Sequence, residues 1–338
     1  MKFRTEYTPQ AGTLRLSPER PVTLIGSCFS ENICSRMRSA LWDAANPCGN
    51  LYNPVSIARI IELSLIEDDA LAVGEFETSV FENRLGWNSW LLDSRFTAAN
   101  REELIEGFRS LRHLMRQRLE ASQALCVTFG TAWVYELAEA ADPRNRNAVV
   151  GNCHKCPASL FIRSRLSVSE IASIWTDLLK RLGERFPQLR FIFTVSPVRH
   201  LKDGFEGNAR SKSILLLAIE EITRISNAAS YFPAYEIMLD DLRDYRFYAS
   251  DLAHPSAEGV EYIWQKFCET YIDAPGREIL EEGESIVRAL SHRPIVDFTP
   301  KGAEALRHQQ QSATRRLKDF LTLHPRMLNP IIPSTDRI

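Results

Sequence analysis

The sequence predicts an α/β fold built on a central parallel sheet, and three observations carry that prediction. Three short apolar runs, Val22–Ile25, Leu125–Phe129 (LCVTF) and Phe191–Val195 (FIFTV), lack the polar alternation of half-exposed strands. Unbroken runs of this length suit strands buried on both faces, as in a parallel sheet. Each run ends at a small residue, Gly26, Gly130 or Ser196. Amphipathic helical stretches lie between and after the runs, and strands alternating with helices define the class.

In chain order, Val22–Ile25 is the first strand, and the four-residue spacing of Ile33, Met37 and Leu41 gives the following helix one buried face. Residues 66–120 fit the alternation less well. SVFENRLGWNSWLLDSRF (79–96) reads as a hairpin around Arg84–Asn88, and REELIEGFRSLRHLMRQRLE (101–120) as a strong helix. This segment is expected to be an insertion over one edge or end of the sheet. After the second and third strands come two further amphipathic helices. One is VSEIASIWTDLLKRLGERF (168–186); the other, GVEYIWQKFCETYI (259–272), has Val260, Ile263, Trp264, Phe267 and Tyr271 on one stripe. Pro275 and Gly276 then make a break. The expected organisation is therefore a domain over 1–275 and a helical C-terminal extension over 276–338. The extension holds two polar, helical stretches split by SHRPIVDFTPKG (291–302), with Arg307, Arg315, Arg316 and Lys318 on the wet face of the later one. It ends in a proline-punctuated, extended tail (324–338).

Bulk properties narrow the function. A chain of 338 residues exceeds the roughly 100–200 residues usual for one domain, so a large domain with an appendage is expected. A hydrophobic fraction of 44% and a net charge of −2 suit a soluble globular protein and give no reason to expect a nucleic-acid or anionic-membrane partner. MKFRTEYTPQAGTLRL has no apolar core behind its positive charges, so it does not read as a secretory signal. No stretch approaches the roughly 18 apolar residues of a membrane span. Seven scattered cysteines, an odd number, point to free thiols in a reducing cytoplasm.

The chemistry starts at VTLIGSCFSENI (22–33), where a buried strand meets a helix at Gly26, Ser27 and Cys28. In open α/β sheets, ligands bind beyond the carboxyl ends of the strands. A serine there presents its hydroxyl above the sheet, and the N–H groups at the helix start can stabilise an anion. Gly26 permits the tight turn. The alternative is a small capping residue at an ordinary β-to-α turn. The hydrolase elbow G-x-S-x-G is absent, since Ile25 and Phe29 stand at its glycine positions. A second constellation lies in YASDLAHPSAEGVEYIW, where Asp251 and His254 stand three residues apart just before a helix. That spacing delivers a histidine base and the carboxylate that orients it within one turn, and Pro255 suits the helix start. Its alternative is a capping aspartate beside a surface histidine.

These residues resemble the GSCFA family, whose motif reads GSCFS here (26–30), and through it the wider SGNH, or GDSL-type, hydrolases. The resemblance continues through NPCGNLYNPVSI (46–57), TFGTAW (128–133), VVGNCHKCP (149–157), TVSPVRH (194–200) and SDLAHPS (250–256). It covers roughly residues 20–270. It implies a three-layer α/β/α domain in which Ser27 is the nucleophile, His254 the general base and then acid, and Asp251 the orienting carboxylate. It also implies oxyanion donors at the Ser27 and Gly49 N–H groups. The usual third block reads G-x-N-D, but Gly130-Thr131-Ala132-Trp133 places alanine where the donating asparagine belongs. One lost oxyanion donor costs about 3–4 kcal/mol. Asn152 is the preferred substitute because it donates without titrating, with Thr131 and His154 as further candidates.

Other motifs are weighed beside these. Cys153-His154-Lys155-Cys156 is half a zinc site without a second pair, so two reduced thiols and no metal are expected. Cys28 is an alternative nucleophile, but the resemblance selects Ser27. Arg199 and His200 of SPVRHLKDG, together with His154, are the expected substrate-binding groups. The expected function is a cofactor-free serine esterase or acyl hydrolase acting on a short-chain, above all acetyl, ester of a small molecule or carbohydrate. The rivals are an acyltransferase to a sugar hydroxyl and a non-catalytic binding protein on the same fold.

Overall fold

The computed structural model describes residues 5–10, 12–139, 145–291 and 300–330. Much of SHRPIVDFTPKG and the tail beyond residue 330 lie outside the described residues. From the N-terminus, β1 (Val22–Gly26) leads into α1 (Cys28–Ser39), β2 (Ala44–Ala45), α2 (Pro54–Leu65) and α3 (Asp69–Glu77). The hairpin β3 (Val80–Asn83) and β4 (Gly86–Ser89) precedes α4 (Arg101–Ala121). Next come β5 (Ala124–Phe129), a second antiparallel hairpin of β6 (Trp133–Leu137) and β7 (Phe161–Arg165), then α5 (Val168–Arg185) and β8 (Arg190–Val195). The chain closes through α6 (Gly204–Ile225), β9 (Ala229–Tyr231), the short α7 (Ala234–Glu236), α8 (Ala257–Tyr271), α9 (Ala274–Ser291) and α10 (Pro300–Leu323).

The central sheet has five strands in the order β2-β1-β5-β8-β9, with every pair parallel. Helices cover both faces. The alternation of strand side chains makes the division: Leu125, Val127, Phe129, Phe191, Phe193 and Val195 enter one core with the buried stripes of α2, α4, α5 and α6. Ala124, Cys126 and Ile192 enter the other with α1, α8, α9 and α10. All five residues expected on the α8 stripe are buried. Leu280, Ile286, Leu317 and Phe320 place the C-terminal helices on this second core. Burying a large apolar side chain is worth about 1.5–3 kcal/mol, so these two cores dominate the favourable side of folding.

Local signals set the element boundaries. Asn53 caps α2 by accepting the Ser56 N–H at 2.8 Å, with Pro54 in the first turn. Ser167 and Glu170 form a capping box on α5. The first helix stops at Ser39, short of Leu41, which is buried but left-handed at φ 60°. Because the sheet is parallel, Gly26, Gly130 and Ser196 all emerge at one end, which fixes where a site can form.

Candidate active site

Ser27 caps α1 in an extended conformation, and its Oγ accepts the Phe29 N–H at 3.3 Å. Its carbonyl accepts the Ser30 N–H at 2.8 Å. Gly26 makes this position possible: its φ is +138°, and a Cβ there would stand 2.2 Å from the Thr128 carbonyl oxygen. Close passage of β1 against β5 thus sets Ser27 at the sheet's end. Contrary to expectation, the Ser27 N–H is directed to the Thr128 carbonyl at 3.3 Å and not into open space.

Asp251 and His254 sit in the loop before α8. Asp251 Oδ1 accepts the N–H groups of Ala253 (2.9 Å) and His254 (3.0 Å), while its Oδ2 lies 2.6 Å from His254 Nδ1. These bonds, led by the His254 N–H, hold the carboxyl down at about 2. With a carboxylate on Nδ1, the neutral imidazole carries its proton there and offers its lone pair at Nε2. The loop turns at Leu252, left-handed at φ 57°. Arg199 fastens it, its N–H bonding the Ala253 carbonyl at 3.0 Å and its guanidinium the Leu252 carbonyl at 3.2 Å. The Arg199 guanidinium lies over the rings of Phe205, Tyr245 and Tyr248 at 5.2–5.8 Å. The acidic and aromatic stretch before Asp251 thus anchors this arginine.

Ser27 and His254 line one cavity of about 540 Å³, together with Cys28, Asn152, Arg199 and His200. That volume suits a small-molecule site. The Cys28 thiol is pushed up by burial, so it stays protonated at neutral pH and is a poor nucleophile. Burial, aided by Lys212, pulls His200 down to about 4, so that ring is neutral at pH 7. Asn152 spends its Oδ1 on the His154 N–H at 2.8 Å, which leaves its amide NH₂ for the cavity.

Two expected site residues lie elsewhere. Gly49 is not on the cavity: at φ +70° it packs beneath Arg95, whose Nε would stand 2.6 Å from an added Cβ. Asp93 and Arg95 pin that loop through the Asn50 N–H (3.0 Å) and the Asn46 carbonyl (2.9 Å). From this segment, Tyr52 and Asn53 reach the cavity instead. His154 is likewise turned away from the cavity. It is buried among Phe81 and Trp90, with Nε2 2.8 Å from the Ser89 carbonyl, and desolvation lowers its pKa. Left-handed φ values at His154 (47°) and Lys155 (57°) drive this turn, which the Cys156 N–H closes onto the Cys153 carbonyl at 2.8 Å. Ala132 is wholly buried, so the third-block position offers no side chain to the cavity.

Sequence reasoning missed the wall formed by the second hairpin. Trp133, Tyr135 and Arg163 line the cavity, with the Arg163 guanidinium 4.2 Å from the Trp133 ring centre and ion-paired to Asp203. Its signal was the pair WVYEL and FIRSR, whose strands pair only across a long connection. Among the described residues, no helix is long and apolar enough to cross a membrane, and no group of three or more His, Cys, Asp or Glu side chains could hold a metal ion.

Fold and site together define a doubly wound α/β protein with a helix-capping serine and a carboxylate-bound histidine on one cavity. The sequence model of the GSCFA family matches residues 21–267, and the chain belongs to that family. No curated protein matches it. Among solved structures, it is similar to the crystal structure of a carbohydrate esterase family 2 enzyme with its carbohydrate-binding domain from Corynascus thermopiles (Myceliophthora fergusii). The identity is 11% and the TM-score 0.34, over 79% of this chain and 67% of that one. A likeness this faint transfers no activity.

Proposed function

We propose that this protein is a serine esterase of the SGNH type acting on short acyl, above all acetyl, esters. The observation that carries the reading is that Ser27 and His254 line the same cavity while Asp251 holds His254 through Nδ1 at 2.6 Å. In this reading His254 takes the Ser27 proton as Oγ attacks the ester carbonyl, and the carbonyl π pair moves onto oxygen. Collapse of the tetrahedral intermediate restores the carbonyl and breaks the ester C–O bond, and His254 returns the proton to the departing alcohol. Water, deprotonated by the same histidine, then releases the acid and regenerates Ser27. Asp251 orients the imidazole and stabilises its protonated form. The Asn152 amide serves the oxyanion in place of the side chain that Ala132 lacks. The Ser27 N–H must exchange its Thr128 bond for the oxyanion to take part.

The cavity exceeds what an acetyl group needs, so it also houses the carrier. Its aromatic and guanidinium walls, with Arg199 and His200, suit a polyhydroxylated, carbohydrate-like alcohol. We assign the hydrolase domain to 1–275 and a helical extension to 276–338, and place the protein in the cytoplasm on account of its free thiols.

Hydrolysis of p-nitrophenyl acetate tests the reading. Wild-type protein should turn over with saturation kinetics, and Ser27→Ala should fall to the uncatalysed background. Undiminished turnover in Ser27→Ala would refute it.

A further inference from the structure

Lys212 is a buried titratable group that the mechanism above leaves unused. It sits on α6 and is 1% exposed. Its Nζ donates to the carbonyls of Gly130 and Ser196, each at 2.7 Å. Those carbonyls cap β5 and β8, the strands whose ends form the cavity floor. Its neighbour Ser211, also buried, accepts the Ala132 N–H at 2.8 Å and pairs with Thr131 Oγ1 at 3.1 Å. Thr131 Oγ1 in turn accepts the Trp133 N–H at 3.0 Å. Two adjacent residues of one helix thus hold every member of Gly130-Thr131-Ala132-Trp133, the block that lacks its asparagine.

We propose that Lys212 is a positioning residue of the site, a buried cation that fixes the Gly130 and Ser196 ends of the central strands and supplies positive potential beneath Ser27 and Cys28. The proposal rests on the esterase reading for its catalytic consequence, but the placement of the charge is independent of that reading.

A buried ammonium is costly unless its protons are bonded, and Lys212 meets that cost with two carbonyls and, among the described residues, no carboxylate ion pair. A methionine would fill the same space without carrying charge, so what this side chain adds to packing is its field and its two bonds. Lys212 lies in the buried interior, where a charge is little screened by water and its field acts on negative charge developing nearby. The other titratable and charged groups facing it are few: Cys28 from α1, His200 and Asp203 from the loop before α6, and the Tyr235 ring from α7 at 5.6 Å. Asp203 is itself paired with Arg163. Burial raises the Cys28 thiol, while the Cys28 and Phe29 N–H groups and, after them, the Lys212 charge act the other way.

Burial pulls Lys212 itself down to about 7. The ammonium is therefore complete at acid pH and is lost as pH rises through 7. A positive potential needed for catalysis would then give an alkaline limb to the rate near that pH.

Two variants and two readouts test this. Alkylation of Cys28 by iodoacetamide, followed by peptide mapping to separate it from Cys153 and Cys156, needs no hydrolytic activity. In Lys212→Met, alkylation of Cys28 should be about three- to tenfold slower below pH 7, where the wild-type ammonium is present, and should match wild type at clearly alkaline pH, where it is not. Turnover of p-nitrophenyl acetate should show kcat lowered about tenfold with KM little changed. Lys212→Arg should restore both and move the alkaline limb upward, because a guanidinium stays charged. Unchanged Cys28 alkylation below pH 7 in folded Lys212→Met overturns the proposal. Should Lys212→Met fail to fold, wild type against Lys212→Arg decides, and an alkaline Cys28 profile and rate limb identical in the two overturn it. A wild-type protein without turnover, with Cys28 alkylation slowed in Lys212→Met, would defeat the esterase reading and leave the placement of Lys212 standing.

Discussion

Ser27 is 1% exposed at the end of a central strand, whereas the side chains of His254 and Asp251 keep 47% and 50% of their surface on a loop. The serine is held by the fold itself: a glycine that lets two strands close up, a cap on α1, and the sheet beneath. The histidine pair is held by hydrogen bonds of its own loop and of Arg199, among them three to Asp251, two from Arg199 and the Ala249 N–H on the His254 carbonyl. The contrast teaches that the two halves of one site can be built with different rigidity. Damage near Ser27 should appear as lost stability, and damage near His254 as lost chemistry in a stable protein.

The sharpest break of that comparison is Asp251→Asn. It should lower kcat by about 10⁴, the scale of a disturbed tautomer, with KM and melting temperature nearly unchanged, as steady-state kinetics and a thermal melt would show. The Asp251 carboxyl is held at about 2, so its charge is constant from pH 4 upward and it supplies no limb in that range. His200, down at about 4, stays neutral above that and cannot supply a limb near neutrality. An Asp251→Asn variant with undiminished kcat would argue against the pairing.

Asn152→Ala comes next, with kcat lowered roughly 10²- to 10³-fold and KM held, if its amide serves the oxyanion. Near-normal kcat would remove it from the mechanism. On the Ser27 side, Gly26→Ala should destabilise by at least ~2 kcal/mol in urea unfolding, since its Cβ meets the Thr128 carbonyl at 2.2 Å. A variant as stable as wild type would mean that the serine's seat is softer than the sheet suggests. The smallest effect is expected for Arg199→Ala, about tenfold in kcat at unchanged stability, because the Asp251 bonds remain. A large rise in KM with intact kcat would leave Arg199 only the substrate contact proposed above and no part in holding the loop.

The fold was legible where burial shapes the sequence locally. The three long central strands are apolar on both sides, and the α5 and α8 stripes follow the helical period. The edge strands β2 and β9 were not, since two and three residues are too few to show a pattern. For the site, a serine at a strand end and D-x-x-H are short-range signals. Gly49 and His154 failed because tertiary contacts decide them: Arg95 and Asp93 hold one, and a left-handed turn buries the other. Lys212 was invisible for the opposite reason, since a lysine inside an amphipathic helix reads as solvent-facing until the packing shows otherwise.

The central claim is that Ser27, and not its neighbour Cys28, is an activated nucleophile. Reaction with a fluorophosphonate probe, mapped by peptide mass, tests it most directly. The adduct should sit on Ser27 in the wild type and in Cys28→Ala, and should be absent from Ser27→Ala and strongly slowed in His254→Ala. An adduct on Cys28, or labelling that persists in Ser27→Ala, would contradict the account.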